Sequence, residues 1–218
     1  MPPAGELAAL GAFYGVAVDD VVARHGRALD RYAEWVLGRD AFALVTLGDP
    51  PALATLVGGI AAERLRAAAA RWPGAVAGVK LELGASVDPT LYVRVLCPWG
   101  DAIAWLARAG VATAARVLPA RTMYGLGFQG ELVKTYALAP GGFVSYRLAG
   151  DELQTQHKGY RADVAWDAIA WPDPRWAAIG EVGRALGFGT AGHVGLAGDT
   201  LKIYVERIGA IATDRSLA

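Results

Sequence analysis

Three stretches of the chain follow one pattern, in which a short alternating run meets a tight turn and a second alternating run follows. They are residues 124–138 (YGLGFQGELVKTYAL), 192–206 (GHVGLAGDTLKIYVE) and, more loosely, 78–96 (GVKLELGASVDPTLYVRVL). Successive side chains of a strand point to opposite faces, so period-two alternation fixes which residues share a side. On the second run of each stretch, Tyr92 joins Arg94, Lys134 joins Tyr136, and Lys202 joins Tyr204. On the first runs, Lys80 and Glu82 oppose Val79, Leu81 and Leu83, while Gly125, Gly127 and Gln129 oppose Leu126 and Phe128. Each hairpin thus has an aliphatic side able to receive helices and a side carrying Lys, Arg, Tyr, Glu and Gln.

Helical spacing of apolar residues predicts helices over residues 18–37, 52–72, 101–118 and 174–186. The apolar run 41–47 predicts a buried strand. A third strand, 143–149, follows the turn Pro140-Gly141-Gly142, with Tyr146 and Arg147 on opposite sides. Residues 1–5 are expected to fray, 151–173 to be the least regular part, whether a loop, a short helix or a cap over a pocket, and 208–211 to extend the last strand before a tail at 214–218. The order is helices alternating with hairpins through short connections, which favours antiparallel pairing. The expected fold class is α+β: one domain over residues 1–218, an antiparallel β-barrel or strongly curved sheet with helices on its outer face.

The 218 residues are 54% hydrophobic and 19% charged, a globular composition. Zero net charge without a Lys/Arg block argues against nucleic acid as a partner. The longest uncharged run, 185–198, is too short for a membrane span. The apolar run 7–18 lacks a basic leader, so a cytoplasmic location is expected. The single cysteine, Cys97, excludes an internal disulfide and is expected as a small buried hydrophobe. Three histidines and one cysteine show no zinc spacing. Asp19-Asp20 has Ala23 where an aspartate-rich metal motif needs a third Asp. GFGTAG at 187–192 precedes a strand instead of opening a helix, which disfavours a dinucleotide loop. No G-x-S-x-G or P-loop is present.

The polar side either faces water, as one side of an antiparallel sheet often does, or lines the inside of a closed sheet. In the second case, cations from several strands bind an anion and tyrosine faces shelter a cation. Diphosphate and an allylic carbocation together need both features.

On Leu132-Val133-Lys134-Thr135-Tyr136, Leu201-Lys202-Ile203-Tyr204 and Leu91-Tyr92-Val93-Arg94, the chain resembles the ABBA aromatic prenyltransferases, including the indole-prenylating group. It departs from them in showing three clear hairpins where that family usually has five αββα units, and Tyr-x-Arg where one unit would have Lys-x-Tyr. The resemblance implies a transferase of secondary metabolism that moves a prenyl group from an allylic diphosphate to an aromatic acceptor. It implies that Arg94, Lys134 and Lys202 hold the diphosphate and that Tyr92, Tyr136 and Tyr204 shield the cation. Glu82 orients or deprotonates the acceptor, with His157 and His193 as alternative bases, unless Glu82 forms a cross-strand ion pair with Lys80 or Arg94. No cofactor is required, Mg2+ is left open, no protein metal site is expected, and a homodimer is left open. A reading of a different class is a non-catalytic protein that holds a hydrophobic anion or pigment in the same cavity. A third is a dimer whose polar sheet face is the interface.

Overall fold

The alternating stretches form strands in a computed structural model of the protein, which describes residues 4–29, 32–84, 87–111, 121–140, 142–149, 152–197 and 200–206. In chain order the elements are α1 (Ala4–Tyr14), α2 (Val18–Leu29), β1 (Tyr32–Leu37), β2 (Phe42–Gly48), α3 (Pro50–Val57), α4 (Gly59–Arg71), β3 (Ala77–Leu83), β4 (Thr90–Pro98) and α5 (Trp99–Arg108). Then follow β5 (Thr122–Gln129), β6 (Leu132–Ala139), β7 (Gly142–Ala149), β8 (Glu152–Ala165), a 3-10 turn at Trp166–Ala168, α6 (Pro174–Ala185), β9 (Thr190–Ala197) and β10 (Thr200–Glu206). Two compact units interleave along the sequence. The first is Met1–Leu47, Lys80–Val87 and Arg161–Ala218, and the second is Gly48–Val79 and Asp88–Tyr160.

In the first unit, β10 pairs with β9 and β1, and β1 pairs with β2, all antiparallel. Trp35, Leu37, Phe42 and Leu44 are fully buried on one face. Tyr14 of α1 stacks on Phe42 at 5.1 Å, and Trp35 lies 5.7 Å from the same ring. The Trp35 indole N–H donates to the Glu6 carboxylate of α1 at 3.0 Å, which satisfies a buried donor. Asp173 caps α6 by accepting from the Trp176 backbone N–H, with Pro174 in the first turn.

In the second unit the antiparallel order is β4-β5-β6-β7-β8. Helices α3, α4 and α5 lie against β4 and β5. Leu53, Ala62, Leu65, Leu91, Val93, Leu126 and Phe128 are all buried there. Register shifts interrupt β1/β2, β4/β5, β5/β6 and β7/β8. An extra residue on one strand bends it and raises its twist. The fold class is therefore as the alternation predicts: α+β, helices on curved antiparallel sheet.

Several elements differ from expectation. The helix begun at Val18 ends at Leu29, and Tyr32–Leu37 is a strand. Apolar residues at 29, 32, 36 and 37 imitate helical spacing, but Trp35 and Leu37 bury one face and β1 is hydrogen-bonded on both edges. The helix expected over 52–72 is two helices: Gly58, between them, takes φ +70° and Gly59, the first residue of α4, +62°, outside the range that continues a right-handed helix. The segment expected to be irregular holds the 14-residue strand β8, paired with β7. Its polar composition hid it, since pairing alone satisfies its backbone. Helix α1 was not expected from a run that is apolar on every side. Cys97 is half-exposed, not buried, because the bulge between Arg94 and Cys97 breaks the alternation. Leu96, in that bulge, has φ +37° and is 41% exposed. Residues 1–3, the end of the helix expected to 118, the extension at 208–211 and the tail lie outside the described residues.

Candidate anion-binding face

In the second unit, the register of β4 to β7 lines the polar side chains up in two adjacent rows. One row runs Tyr92, Gly127, Lys134, Arg147, and the next runs Arg94, Gly125, Tyr136, Ser145. Neighbouring strands lie about 4.8 Å apart, so each row spans roughly 14 Å. Tyr92, Arg94, Lys134 and Arg147 are half-buried, while Tyr136 and Ser145 are 9% and 7% exposed. The sequence brought Tyr92, Arg94, Lys134 and Tyr136 to one face, and the structure places all four there. It also settles β7: Tyr146 is buried with Thr135 on the helix-facing side, where its hydroxyl accepts from Arg121 at 3.0 Å, and Arg147 takes the polar side.

Of the two glycines of β5, Gly127 makes room for the rings and Gly125 for the backbone of β4. Tyr92 and Tyr136 approach to 5.8 Å between centroids, tilted by 55°. A Cβ on Gly127 would lie 3.3 Å from Tyr92 Cε1 and 3.4 Å from Tyr136 Cε2. At Gly125 the Cβ would meet the Val93 carbonyl oxygen at 3.0 Å. Lys134 is positioned by the turn that precedes it. Its Nζ donates to Gln129 Oε1 at 2.8 Å, and Gln129 Nε2 donates to the Asp88 carbonyl at 2.9 Å. Arg64 of α4 grips the turn, donating to the Gly130 and Glu131 carbonyls at 3.2 and 2.9 Å and pairing with the Glu131 carboxylate at 3.2 Å.

Arg147 is the residue sequence reasoning missed, and a signal for it exists. Ala139 pairs with Gly142, so only two residues separate the strands. Counting five positions back and five forward from that pair sets Lys134 opposite Arg147. Taking Gly142 into the turn, as the sequence first suggests, leaves the side of Arg147 undecided.

The polar face of the first unit has a different character. Lys80 and Glu82 lie on β3, and Lys202 and Tyr204 on β10. Lys80 is 6% exposed and ion-paired to Glu82, and the Lys202 ammonium lies 3.9 Å from the same carboxylate oxygen. The alternative of an ion pair for Glu82 is thus realised with Lys80. Tyr204 sits opposite Val36 and packs on the apolar patch Val36, Ala43 and Val45. Glu34, two residues from Val36 on β1, is 8% exposed. His193 is in register with Tyr204, and the side chains of His193 and His157 lie outside the described residues.

The two faces differ in what charge can do on them. Three cations with two phenol rings suit a multiply charged anion joined to an unsaturated body. Glu82 has the Lys80 ammonium against it and the Lys202 ammonium nearby, so its carboxylate is engaged within its own unit. Among the described residues no group of three or more His, Cys, Asp or Glu side chains gathers to hold a metal ion. No described helix is long and apolar enough to cross a membrane. No protein-family model matches this chain, and a search of curated proteins finds no relative.

Proposed function

We propose that the face formed by Arg94, Lys134 and Arg147 with Tyr92 and Tyr136 binds an allylic diphosphate, and that the protein transfers the prenyl group to an aromatic acceptor. The observation that carries the proposal is the paired rows: β4 and β6 each bring one cation and one tyrosine to the same face, β7 adds Arg147, and the two glycines of β5 lie between β4 and β6. In the reaction the allylic C–O bond breaks, and diphosphate leaves with the electron pair onto the three cations. An aromatic carbon attacks the allyl cation, and its proton passes to the departed diphosphate, which restores the ring. Tyrosine faces stabilise the cation between the two events. Glu82, Lys202 and Tyr204 belong to the first unit, and the proposal does not use them. Mg2+ at the diphosphate is an added condition of the test. A single cysteine suits a reducing compartment, so we place the activity in the cytoplasm.

A second reading, non-catalytic binding of a hydrophobic anion, is favoured by the makeup of the two rows, in which cations, tyrosines, glycines and a serine supply no carboxylate or imidazole to take the proton. Calorimetric titration with dimethylallyl and geranyl thiolodiphosphates, with and without Mg2+, tests the shared premise. Micromolar binding that weakens at least about tenfold in Lys134→Ala, about 1.4 kcal/mol, is expected. No binding under either condition overturns both readings. Binding without product formation from dimethylallyl or geranyl diphosphate across a panel of phenols, naphthols and indoles selects the second.

A further inference from the structure

In the second unit, the turn that opens α3 and the turn that follows α4 enclose a cavity of about 530 Å³. Its walls are Pro50 and Pro51 at the start of α3, Ala69 in the last turn of α4, Trp72 at its C-cap, and Val76. Among the described lining residues Asp49 alone is charged. Trp72 is half-buried and Val76 is 43% exposed, so apolar surface is open here. The Trp72 ring is already held in place. Trp105 meets it edge-on at 5.1 Å, and the Arg71 guanidinium lies 5.6 Å from its centroid.

The local chemistry uses up backbone donors and keeps an acceptor. Pro50 and Pro51 carry no backbone N–H. The next two N–H groups of α3 are spent on Asp49: that of Ala52 donates to the carboxylate at 3.4 Å, and that of Leu53 to the backbone carbonyl at 3.0 Å. On the other wall, the Trp72 N–H donates to the Ala68 carbonyl at 2.9 Å and the Ala75 N–H to the Trp72 carbonyl at 3.2 Å. The donors by which a helix start usually holds an anion are therefore missing or engaged at α3. The Asp49 carboxylate is exposed, and a carboxylate offers about four acceptor sites, of which the cap takes one. An anion meets like charge and spent N–H groups. A cation meets a carboxylate beside an apolar wall. Cavities of this size with a few polar groups in an apolar lining suit small molecules.

We propose that this cavity binds a small organic ammonium ion, its N–H donors on the Asp49 carboxylate and its apolar body against Pro50, Pro51, Trp72 and Val76. The prolines fix the backbone of one wall and the ring contacts of Trp72 fix another, so little has to be ordered on binding. The site shares no residue with the anion face, and either assignment stands if the other fails.

The test uses the full chain, labelled with 15N, and three probes that share a phenyl ring on a two-carbon arm and differ in charge: 2-phenylethylammonium, 2-phenylethanol and 3-phenylpropanoate. The amide resonances of Gly48, Asp49 and Gly74 to Val76 and the Trp72 indole resonance are followed through each titration. Dose-dependent shifts with the ammonium, a weaker response to the alcohol and none to the carboxylate are expected. Asparagine caps a helix about as well as aspartate, so Asp49→Asn keeps α3 and removes the charge. It should weaken the ammonium at least about threefold. Ala69→Leu, which adds bulk at a half-buried lining position, should weaken it at least about tenfold. If Ala69→Leu fails to fold, Asp49→Asn decides the matter. Absence of shifts at these resonances, shifts confined to other regions, an equal response to the alcohol or the carboxylate, or undiminished affinity in Asp49→Asn would overturn the assignment.

Discussion

Lys134 and Arg147 stand directly opposite one another on β6 and β7, two cations in facing positions on a half-buried sheet face. Like charges so placed cost a sheet a few tenths to about 1 kcal/mol, and an anion between them reverses the sign. Arg147→Gln should therefore leave the unliganded protein equally or slightly more stable, by a few tenths of a kcal/mol. The same change should weaken thiolodiphosphate binding about tenfold or more. Thermal melts and calorimetry read the two effects separately. A variant that loses stability and keeps its affinity would remove Arg147 from the anion face.

Glu82 carries a structural duty that any activity assay must be corrected for. Lys80 is 6% exposed, and removing its carboxylate leaves a buried ammonium without its nearest counter-charge. Breaking one side of a buried pair costs on the order of 3 kcal/mol, whereas replacing both sides with apolar groups of similar volume is close to neutral. Denaturant unfolding should show Glu82→Gln strongly destabilised and the double variant Lys80→Met/Glu82→Leu largely restored. Equal stability of Glu82→Gln and the parent would mean that the pair does not form in solution.

The glycines of β5 test ring placement, at Gly127, and the approach of β4, at Gly125, separately. Gly127→Ala brings a methyl to 3.3 Å from a tyrosine ring carbon, and rings can give by a few tenths of an ångström. Gly125→Ala meets a backbone carbonyl at 3.0 Å, which cannot yield without moving β4. We expect a cost of about 1 kcal/mol for Gly127→Ala and roughly 2–3 kcal/mol for Gly125→Ala. The reverse order in unfolding experiments would show that the Tyr92–Tyr136 contact, not the β4 backbone, is the stiffer neighbour.

On α2, burial and the neighbouring Arg24 together hold the His25 imidazole below the usual histidine range. The unfolded chain then binds the proton more readily than the folded one. The stability involved is fully present above the unfolded value near 6.5 and is lost as pH falls from there through the lowered folded value. Melting temperatures recorded from pH 8 to pH 5 should decline, and His25→Gln should decline less. Parallel profiles would assign the acid sensitivity to other groups.

Much of the second unit was legible because its code is local. Alternation at 124–138 named the faces of β5 and β6, and Lys134 with Tyr136 landed where period two puts them. What escaped depended on partners far along the chain. Tyr32–Leu37 reads as helix by spacing and becomes a strand because β2 and β10 hydrogen-bond both its edges. β8 has polar residues on both sides, so no contrast between faces marked it. The side of Arg147 is fixed by a two-residue connection and by nothing in its own neighbours. Glu82 was correctly placed on the polar face, yet its ion pair with Lys80 and approach to Lys202 follow from proximity that alternation does not encode.

The pairing of β1 with β10 has a consequence for the order in which the molecule can be made. A strand complete by residue 37 must wait for residues 203–206 before its second edge is satisfied. The second unit, drawn almost entirely from Gly48–Tyr160, is available for pairing well before that. On the ribosome, then, the second unit is expected to fold ahead of β1, whose second edge stays open until residues 203–206 have emerged.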